Sequence, residues 1–203
     1  MSNQNNLTLG ETMVTYVYDS NNRIDVNGTI DRMTKDDRKM RRFIEEKIEE
    51  CRYRPALDLD DIEELTPYGA TLVAKYKEKG TVYLNGLEQC TWQSLAILAK
   101  VKARTLDLNG LKSIEELEAR AISHFRGIAL SLNGLMRIDE DSAIEIAQFD
   151  GRALFLDGIK GLWPAEARNL CKFGGKEIFL RGLRFISLEV TKAFLAFPGK
   201  IHI

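Results

Sequence analysis

A short phrase that recurs at a constant interval constrains the fold of this chain more than any other feature. Each copy has two apolar residues at positions i and i+2, then a polar residue, a glycine and a further apolar residue. Five copies follow one another at intervals of 24 residues, at 82–87, 106–111, 130–135, 154–159 and 178–183. Degenerate copies stand at 57–62 and 24–30, and residues 201–203 match the opening of one more. This register indicates an internal structural repeat.

The residues of each phrase predict a short strand followed by a turn. Apolar side chains at i and i+2 lie on one face of a strand, and Asn-Gly is typical of the turn that ends it. We attribute the glycine to a need for positive φ, which glycine adopts at little cost. Asp61 stands in the place of this glycine in the copy at 57–62, and Asp tolerates the left-handed region better than most residues.

A helix is predicted after each strand, because residues suited to a helix N-terminus recur there. The predicted starts are Thr66, Thr91, Ser113, Asp139, Trp163 and Ser187, of which only Trp163 is a poor cap type. Positions 24 residues apart keep their character across the helices. One column is mostly aromatic and consists of Tyr76, Val101, Phe125, Phe149, Phe173 and Phe197.

A single strand–helix unit of 24 residues buries too little apolar surface to offset its chain entropy, so the units must stack on one another. The predicted fold is α/β, a solenoid with one parallel sheet and helices on the other side. Residues 1–13 are expected to form a flexible tail and residues 14–55 an N-terminal cap made of a hairpin and a longer helix. Residues 56–203 are expected to form about six repeats that end in a terminal strand.

Residues 56–203 resemble the leucine-rich-repeat superfamily, in the bacterial-type variants whose 24-residue repeats read Leu-x-Leu-Asn-Gly-Leu. Here Asn follows the strand directly, and Leu or Ile occupies the place where the family usually has Asn. The resemblance implies a right-handed solenoid with the sheet on its concave side and the helices on its convex side. It further implies that the concave sheet binds proteins.

The composition argues against several other classes of protein. Lys plus Arg is 29 and Asp plus Glu is 30, so a net charge of −1 gives no long-range attraction to nucleic acid. No apolar run is long enough to cross a membrane, and the first residues lack the pattern of a signal peptide. Three cysteines without metal spacing are typical of a reducing compartment. We therefore expect a cytoplasmic protein, with export as an effector left open.

The strand residues that lie between the two core positions are predicted to form a binding surface. With a neighbouring arginine they are Asp58, Tyr83, Asp107, Ser131, Phe155, Phe179 and Arg181. The polar residues that follow each strand, Asn109 among them, are expected one place further out on the same surface. Outward aromatic residues beside an arginine are typical of binding hot spots. The alternative is that Phe155 and Phe179 only stack across adjacent strands.

The terminal strand is a second candidate site. Lys200, Ile201, His202 and Ile203 are predicted to leave an open strand edge, through which two chains could pair or a partner strand could bind. A short, frayed end is the alternative.

Residues for catalysis or cofactor binding are not apparent in the sequence. Five acidic residues, Asp58, Asp60, Asp61, Glu63 and Glu64, could suggest a cation site, although Asp60 and Asp61 occupy turn positions. The cysteines share columns with apolar residues, and no nucleophile has a base nearby in sequence. We therefore expect no catalytic residue, metal or cofactor. The expected function is non-enzymatic binding of an unidentified protein, as in an effector or inhibitor, and the alternative is assembly into oligomers through the chain's ends.

Overall fold

The computed structural model of the chain describes residues 35–51, 54–77 and 80–203. The chain divides into two compact units, Met1–Lys39 and Met40–Ile203. The predicted tail and the predicted capping hairpin both lie outside the described residues. The longer helix of the predicted cap is α1, Lys35–Glu50.

Strands and helices alternate along the second unit. The strands are β1 (Ala56–Asp58), β2 (Thr81–Tyr83), β3 (Thr105–Asp107), β4 (Ala129–Ser131), β5 (Ala153–Phe155), β6 (Glu177–Phe179) and β7 (Lys200–His202). The helices that follow β1 to β6 are α2 (Pro67–Val73), α3 (Trp92–Leu98), α4 (Glu116–Ser123), α5 (Glu140–Ile146), α6 (Pro164–Leu170) and α7 (Leu188–Leu195). We call each strand with the helix that follows it a coil. None of the helices in the described residues is long and apolar enough to cross a membrane.

The seven strands form one parallel sheet in the order of the sequence. The repeat phrase sets the register, so that Leu106 of β3 lies beside Leu130 of β4, which lies beside Leu154 of β5. The second apolar residue of each phrase is fully buried in all six coils, at Leu59, Leu84, Leu108, Leu132, Leu156 and Leu180. The prediction of stacked strand–helix units in a shared parallel sheet is confirmed.

The helices form a second layer in which each helix from α2 to α7 contacts the next. The aromatic column runs through this layer. The rings of Phe125 and Phe149 are 6.1 Å apart between centroids, those of Phe149 and Phe173 are 6.0 Å apart, and both pairs are nearly parallel. A Cβ at Gly127 would overlap the Phe125 ring, and the same holds at Gly151 and Phe149. These glycines therefore make room for the buried aromatic column.

Five of the six predicted helix starts, Trp163 among them, are confirmed, and one is wrong. Thr66, Thr91, Asp139 and Ser187 each accept a hydrogen bond from the backbone N–H three residues later. The start predicted at Ser113 is two residues too early, because Glu115 is the N-cap of α4. Ile114 is buried, as Ile138 is in the same column, so the chain must reach the core before its helix begins. At the start of α6, Glu166 accepts a hydrogen bond of 2.7 Å from the Trp163 backbone N–H.

The turn glycines have a different role from the one predicted. Among the described residues, none of these glycines has a φ between +20° and +160°. A Cβ at Gly110 would instead overlap the carbonyl oxygen of Asn85 in the preceding coil, and one at Gly134 would overlap that of Asn109. Glycine thus permits the close approach of successive turns. Asp61 fits the same account, because β1 is the first strand of the sheet in the described residues and no earlier turn among them lies against the side chain at this position.

Candidate binding surface on the sheet

The last residue of each strand faces away from the buried leucines, and these residues form a single row across the sheet, which we call the outer row. The strand register aligns Asp58 with Tyr83, then Asp107, Ser131, Phe155, Phe179 and finally His202. All the strand residues predicted for the binding surface therefore lie side by side. Arg181, the remaining predicted residue, lies two positions after Phe179.

The C-terminal end of the outer row is an aromatic stack formed by Phe155, Phe179 and His202. The Phe155 and Phe179 ring centroids are 4.3 Å apart with an angle of 11° between the planes. Phe179 and His202 are 4.1 Å apart with an angle of 3°. The guanidinium carbon of Arg181 lies 4.8 Å from the centre of the Phe179 ring. Phe179, at the centre, is only 9% exposed, whereas Phe155 and His202 are half-buried.

The His202 ring at the end of this stack contacts Glu177, which pairs with Arg152, and the sequence did not indicate either of these charged residues. The His202 Nε2 lies 3.2 Å from the Glu177 carboxylate, and the Arg152 guanidinium lies 3.4 Å from the other oxygen of that carboxylate. The hydrogen bond from His202 and the charge and hydrogen bond of Arg152 lower the pKa of Glu177. Glu177 and Arg152 lie outside the repeat phrase, so the repeat pattern gave no signal for them.

The N-terminal end of the outer row is acidic and polar. Burial raises the pKa of Asp107 to about 6, and repulsion from Asp60 acts in the same direction, while hydrogen bonds from the side chain and backbone of Asn109 oppose the shift. Within the described residues, the Oδ1 atom of Asp107 is buried without a hydrogen-bond partner. The Asp58 carboxylate accepts a hydrogen bond of 3.1 Å from the backbone N–H of Asp60.

The polar residues that follow the strands form a hydrogen-bonded ladder, which we call the turn ladder. Each side-chain oxygen accepts the backbone N–H of the equivalent residue in the next coil, at 2.7–3.0 Å. The ladder runs through Asp60, Asn85, Asn109, Asn133, Asp157 and Arg181. These residues were expected to extend the binding surface outward, but they bind neighbouring coils to one another. The ladder ends at Arg181, whose side chain has no acceptor.

Ser131 belongs to this ladder as much as to the outer row. Its hydroxyl donates to Asn109 Oδ1 at 2.7 Å and accepts a hydrogen bond from Asn133 Nδ2 at 3.1 Å. It is only 5% exposed. Ser131 is therefore the least exposed of the predicted binding residues.

The predicted edge strand, β7, has a strand neighbour only on its β6 side in the described residues. The N–H of Lys200 donates to Lys176 O at 2.8 Å, and the carbonyl of His202 accepts from Leu180 N at 2.7 Å. Backbone groups alternate in direction along a strand, so the N–H and C=O of Ile201 point to the free edge. Lys200 and Ile203 are exposed, and Ile201 and His202 are half-buried.

The cysteines are placed unfavourably for nucleophilic chemistry. All three are free thiols, and Cys51 is buried. Burial raises the pKa of Cys90 to about 12 and that of Cys171 to about 11, so both remain protonated near neutral pH. Across the described ranges, no three His, Cys, Asp or Glu side chains are grouped so as to hold a metal ion.

Comparisons with protein-family models, curated proteins and solved structures find no match to this chain. The geometry of the sheet and its outer row is therefore the basis for any statement about function.

Proposed function

We propose that this chain is a non-enzymatic binding module of the leucine-rich-repeat type that holds a partner protein across the outer row of its sheet. On this proposal the solenoid is right-handed, with the sheet on its concave side. The aromatic stack of Phe155, Phe179 and His202, topped by Arg181, is the observation that carries the proposal.

The aromatic stack joins three successive strands, but it does so outside the core that lies between the sheet and the helices. The buried leucines and the column of Phe125, Phe149 and Phe173 lie inside the molecule, whereas the stack lies on the opposite side of the sheet. Aromatic residues beside an arginine dominate the energetics of many protein interfaces. The stack also presents rigid rings, which lose little conformational entropy when a partner binds.

The acidic end of the outer row fixes the orientation in which the proposed partner segment binds. Asp107 keeps a buried oxygen without a hydrogen-bond partner in the described residues, and Asp58 and Asp60 lie at the same end. A lysine or arginine of the partner would pair with the carboxylates of Asp58 and Asp60, which are exposed. The partner segment is therefore expected to be basic where it crosses β1 to β3 and apolar where it meets the aromatic stack.

The raised pKa values of Cys90 and Cys171 support a binding role over a thiol-dependent enzyme. An enzyme that uses a cysteine nucleophile needs a thiolate near neutral pH, and burial opposes its formation at both positions.

The test is affinity capture followed by measurement of the purified partner's affinity. We expect Phe155→Ala combined with Phe179→Ala to weaken binding at least 100-fold, because two hot-spot aromatics at about 2 kcal/mol or more each are lost. Met136→Ala, which removes an exposed apolar side chain outside the outer row, is the matched control and leaves affinity unchanged. Unchanged affinity in the folded double variant would refute the proposal.

Pairing through the free edge of β7 is a second candidate function, favoured by the outward N–H and C=O of Ile201. On this alternative the chain is an assembly protein. Ile201→Pro removes the edge donor and tests it by the loss of self-association.

A further inference from the structure

The two kinds of loop that join the strands and helices carry different charges. In the parts that the structure describes, the loops that lead from a helix to the next strand contain nine exposed lysine and arginine residues and one acidic residue, Asp150. The loops that lead from a strand to the next helix contain eight acidic and five basic residues. The net charge of −1 therefore conceals one strongly basic region. We call its nine residues the basic edge: Lys75, Lys77, Lys100, Lys102, Arg104, Arg126, Arg152, Lys172 and Lys176.

Most of the basic edge has no acidic partner. Arg126 lies 3.3 Å from Asp150, and Arg152 lies 3.4 Å from Glu177. The other seven residues form no ion pair among the residues that the structure describes. Neighbouring like charges repel one another in the folded chain, and a bound anion would relieve this repulsion.

The partial charge at the helix ends explains only part of the basic edge. The C-terminal end of a helix attracts cations, but this effect falls off within the last turn. Lys100 and Lys172 fit this explanation, because each stands two residues after its helix ends. Arg104 and Lys176 stand six residues after the same helices end, next to the start of the following strand. A structural role at the helix ends therefore does not account for them.

The basic edge is narrow and regularly spaced. Within residues 100–104, the exposed residues Lys100, Lys102 and Arg104 alternate with buried ones. Five consecutive residues span at most about 14 Å, which limits the width of the edge. The stacked phenylalanine rings buried under the same loops are 6.0–6.1 Å apart, and this distance sets the step from one coil to the next. The partner must therefore carry negative charge at short, regular intervals along a narrow track.

The side chains of the basic edge are suited to recognition by charge alone. Six of the nine are lysines, which act as mobile point charges rather than as rigid forks for a single carboxylate. Ile128 is the only exposed large apolar side chain in the described helix-to-strand loops, so the edge lacks the apolar core of a protein interface. The aromatic rings of these loops are buried, so they offer no platform on which the bases of a single strand could stack.

A recess within the basic edge favours a polymer backbone over a flat lipid surface. The recess has a volume of about 210 Å³ and is lined by Ser123, His124, Arg126 and Gln148. A projecting phosphate or sugar can enter such a recess, whereas the plane of a bilayer surface cannot. Arginine, serine and glutamine side chains commonly contact the phosphates and sugars of nucleic acids.

We propose that the basic edge binds the phosphate backbone of a nucleic-acid duplex, without preference for its sequence. The phosphates supply the regular negative charge that the lysines lack within the described residues. None of the nine residues belongs to the outer row, so this is a second partner and a second surface.

Fluorescence anisotropy of the full chain with a labelled DNA duplex of about 20 base pairs, and with an RNA duplex of the same sequence, tests the proposal. Contact with about five phosphates predicts that the logarithm of the binding constant falls with the logarithm of the salt concentration, with a slope of about −4.5. The affinity is therefore expected to fall on the order of 500-fold between about 50 and 200 mM salt.

The decisive variant combines Lys100→Gln, Lys102→Gln and Arg104→Gln. Loss of three phosphate contacts is expected to weaken duplex binding at least 100-fold near 100 mM salt and to reduce the slope by about 2.7. All three side chains are exposed, so circular dichroism is expected to show an unchanged fold.

The matched control removes the same net charge from exposed positions in the strand-to-helix loops. It combines Lys112→Gln, Arg137→Gln and Arg184→Gln. We expect the slope to stay the same and the affinity to change by less than about threefold, because these residues make no phosphate contact.

Four results would overturn the proposal. They are no binding of either duplex at 50 mM salt and 100 µM protein, equal weakening by the two triple variants, tighter binding of a single strand than of a duplex, and binding of phosphatidylserine vesicles without binding of a duplex. The last result would assign the basic edge to a membrane surface. Phe155→Ala combined with Phe179→Ala is expected to leave the duplex affinity unchanged, so failure of this proposal is distinguishable from failure of the proposed function.

Discussion

The turn ladder makes a quantitative prediction for Asn109, which carries two of its hydrogen bonds. The Oδ1 atom of Asn109 accepts the backbone N–H of Asn133 at 2.8 Å and the hydroxyl of Ser131 at 2.7 Å. Asn109→Ala removes this acceptor from both donors at once. Neither donor can be hydrated freely, since Ser131 is buried and Asn133 is half-buried.

The expected destabilisation follows from the two orphaned donors. A buried donor left without a partner costs about 1–3 kcal/mol, so Asn109→Ala is expected to lower the free energy of unfolding by about 2–4 kcal/mol. The value lies toward the lower end, because the Ser131 hydroxyl can rotate. With a urea dependence of about 2 kcal/mol per M, the unfolding midpoint falls by about 1–2 M.

Urea unfolding followed by circular dichroism provides the assay, and the chain offers two matched comparisons. Asn109→Asp keeps the acceptor oxygen, as Asp157 does in the same ladder, but loses the amide donor to Asp107 and places a second carboxylate beside it. It is therefore expected to recover only part of the loss, about 1 kcal/mol relative to Asn109→Ala. Asn133→Ala removes the acceptor of one backbone N–H, that of Asp157, and is expected to cost about 1–2 kcal/mol. Equal destabilisation by Asn109→Ala and Asn109→Asp would refute the ladder as the cause.

Three further predictions concern stability. Gly134→Ala forces the carbonyl of the preceding turn to move and is expected to lower the free energy of unfolding by more than about 2 kcal/mol in urea unfolding. Gly161→Ala is the control, because no atom lies within 4 Å of the added Cβ, and it is expected to change that free energy by no more than about 0.5 kcal/mol. Phe149→Ala removes the middle ring of the buried aromatic column and is expected to cost about 3–5 kcal/mol, and a loss below about 1 kcal/mol in thermal or urea unfolding would contradict the role of that column. The pKa of Asp107 is raised from 3.8 to about 6, so between these pH values the folded chain keeps a proton on Asp107 that the unfolded chain has lost. The free energy of unfolding of the wild type therefore falls as the pH rises through this window. Asp107→Asn is therefore expected to be more stable than the wild type at pH 7 and equal to it below about pH 4, and a difference in urea midpoint that does not change with pH would contradict this.

Much of the fold could be predicted because the constant spacing of the repeat phrase determines which residues of neighbouring strands align. Residues 24 apart occupy equivalent places in successive coils, so Leu108, Leu132 and Leu156 had to lie side by side once the strands were assigned. The same argument placed the outer row and the aromatic column. A column assignment shows which residues are neighbours.

The direction and contacts of a side chain require more than a column. The ladder oxygens of Asn109 and Asn133 bind the next coil, although their position in the sequence suggested an outward surface. The role of Gly134 could not be predicted from the sequence either. A close approach between coils and a positive φ both favour glycine, so the residue type does not tell them apart. The start of α4 was predicted at Ser113 because serine is a good cap residue, but the actual N-cap, Glu115, lies two positions later at the place equivalent to the caps of the other helices.

The aromatic column and the turn ladder determine which insertions and deletions the chain can accommodate. Residues 105–128 and residues 129–152 present equivalent backbone groups to the coils on either side. Removal of residues 129–152 would place Phe173 against Phe125, and Asn109 would accept the N–H of Asp157. Gain or loss of whole 24-residue segments therefore preserves the strand register, the aromatic column and the turn ladder, whereas a change of any other size shifts all later columns out of alignment. The number of coils is therefore free to vary in steps of 24 residues.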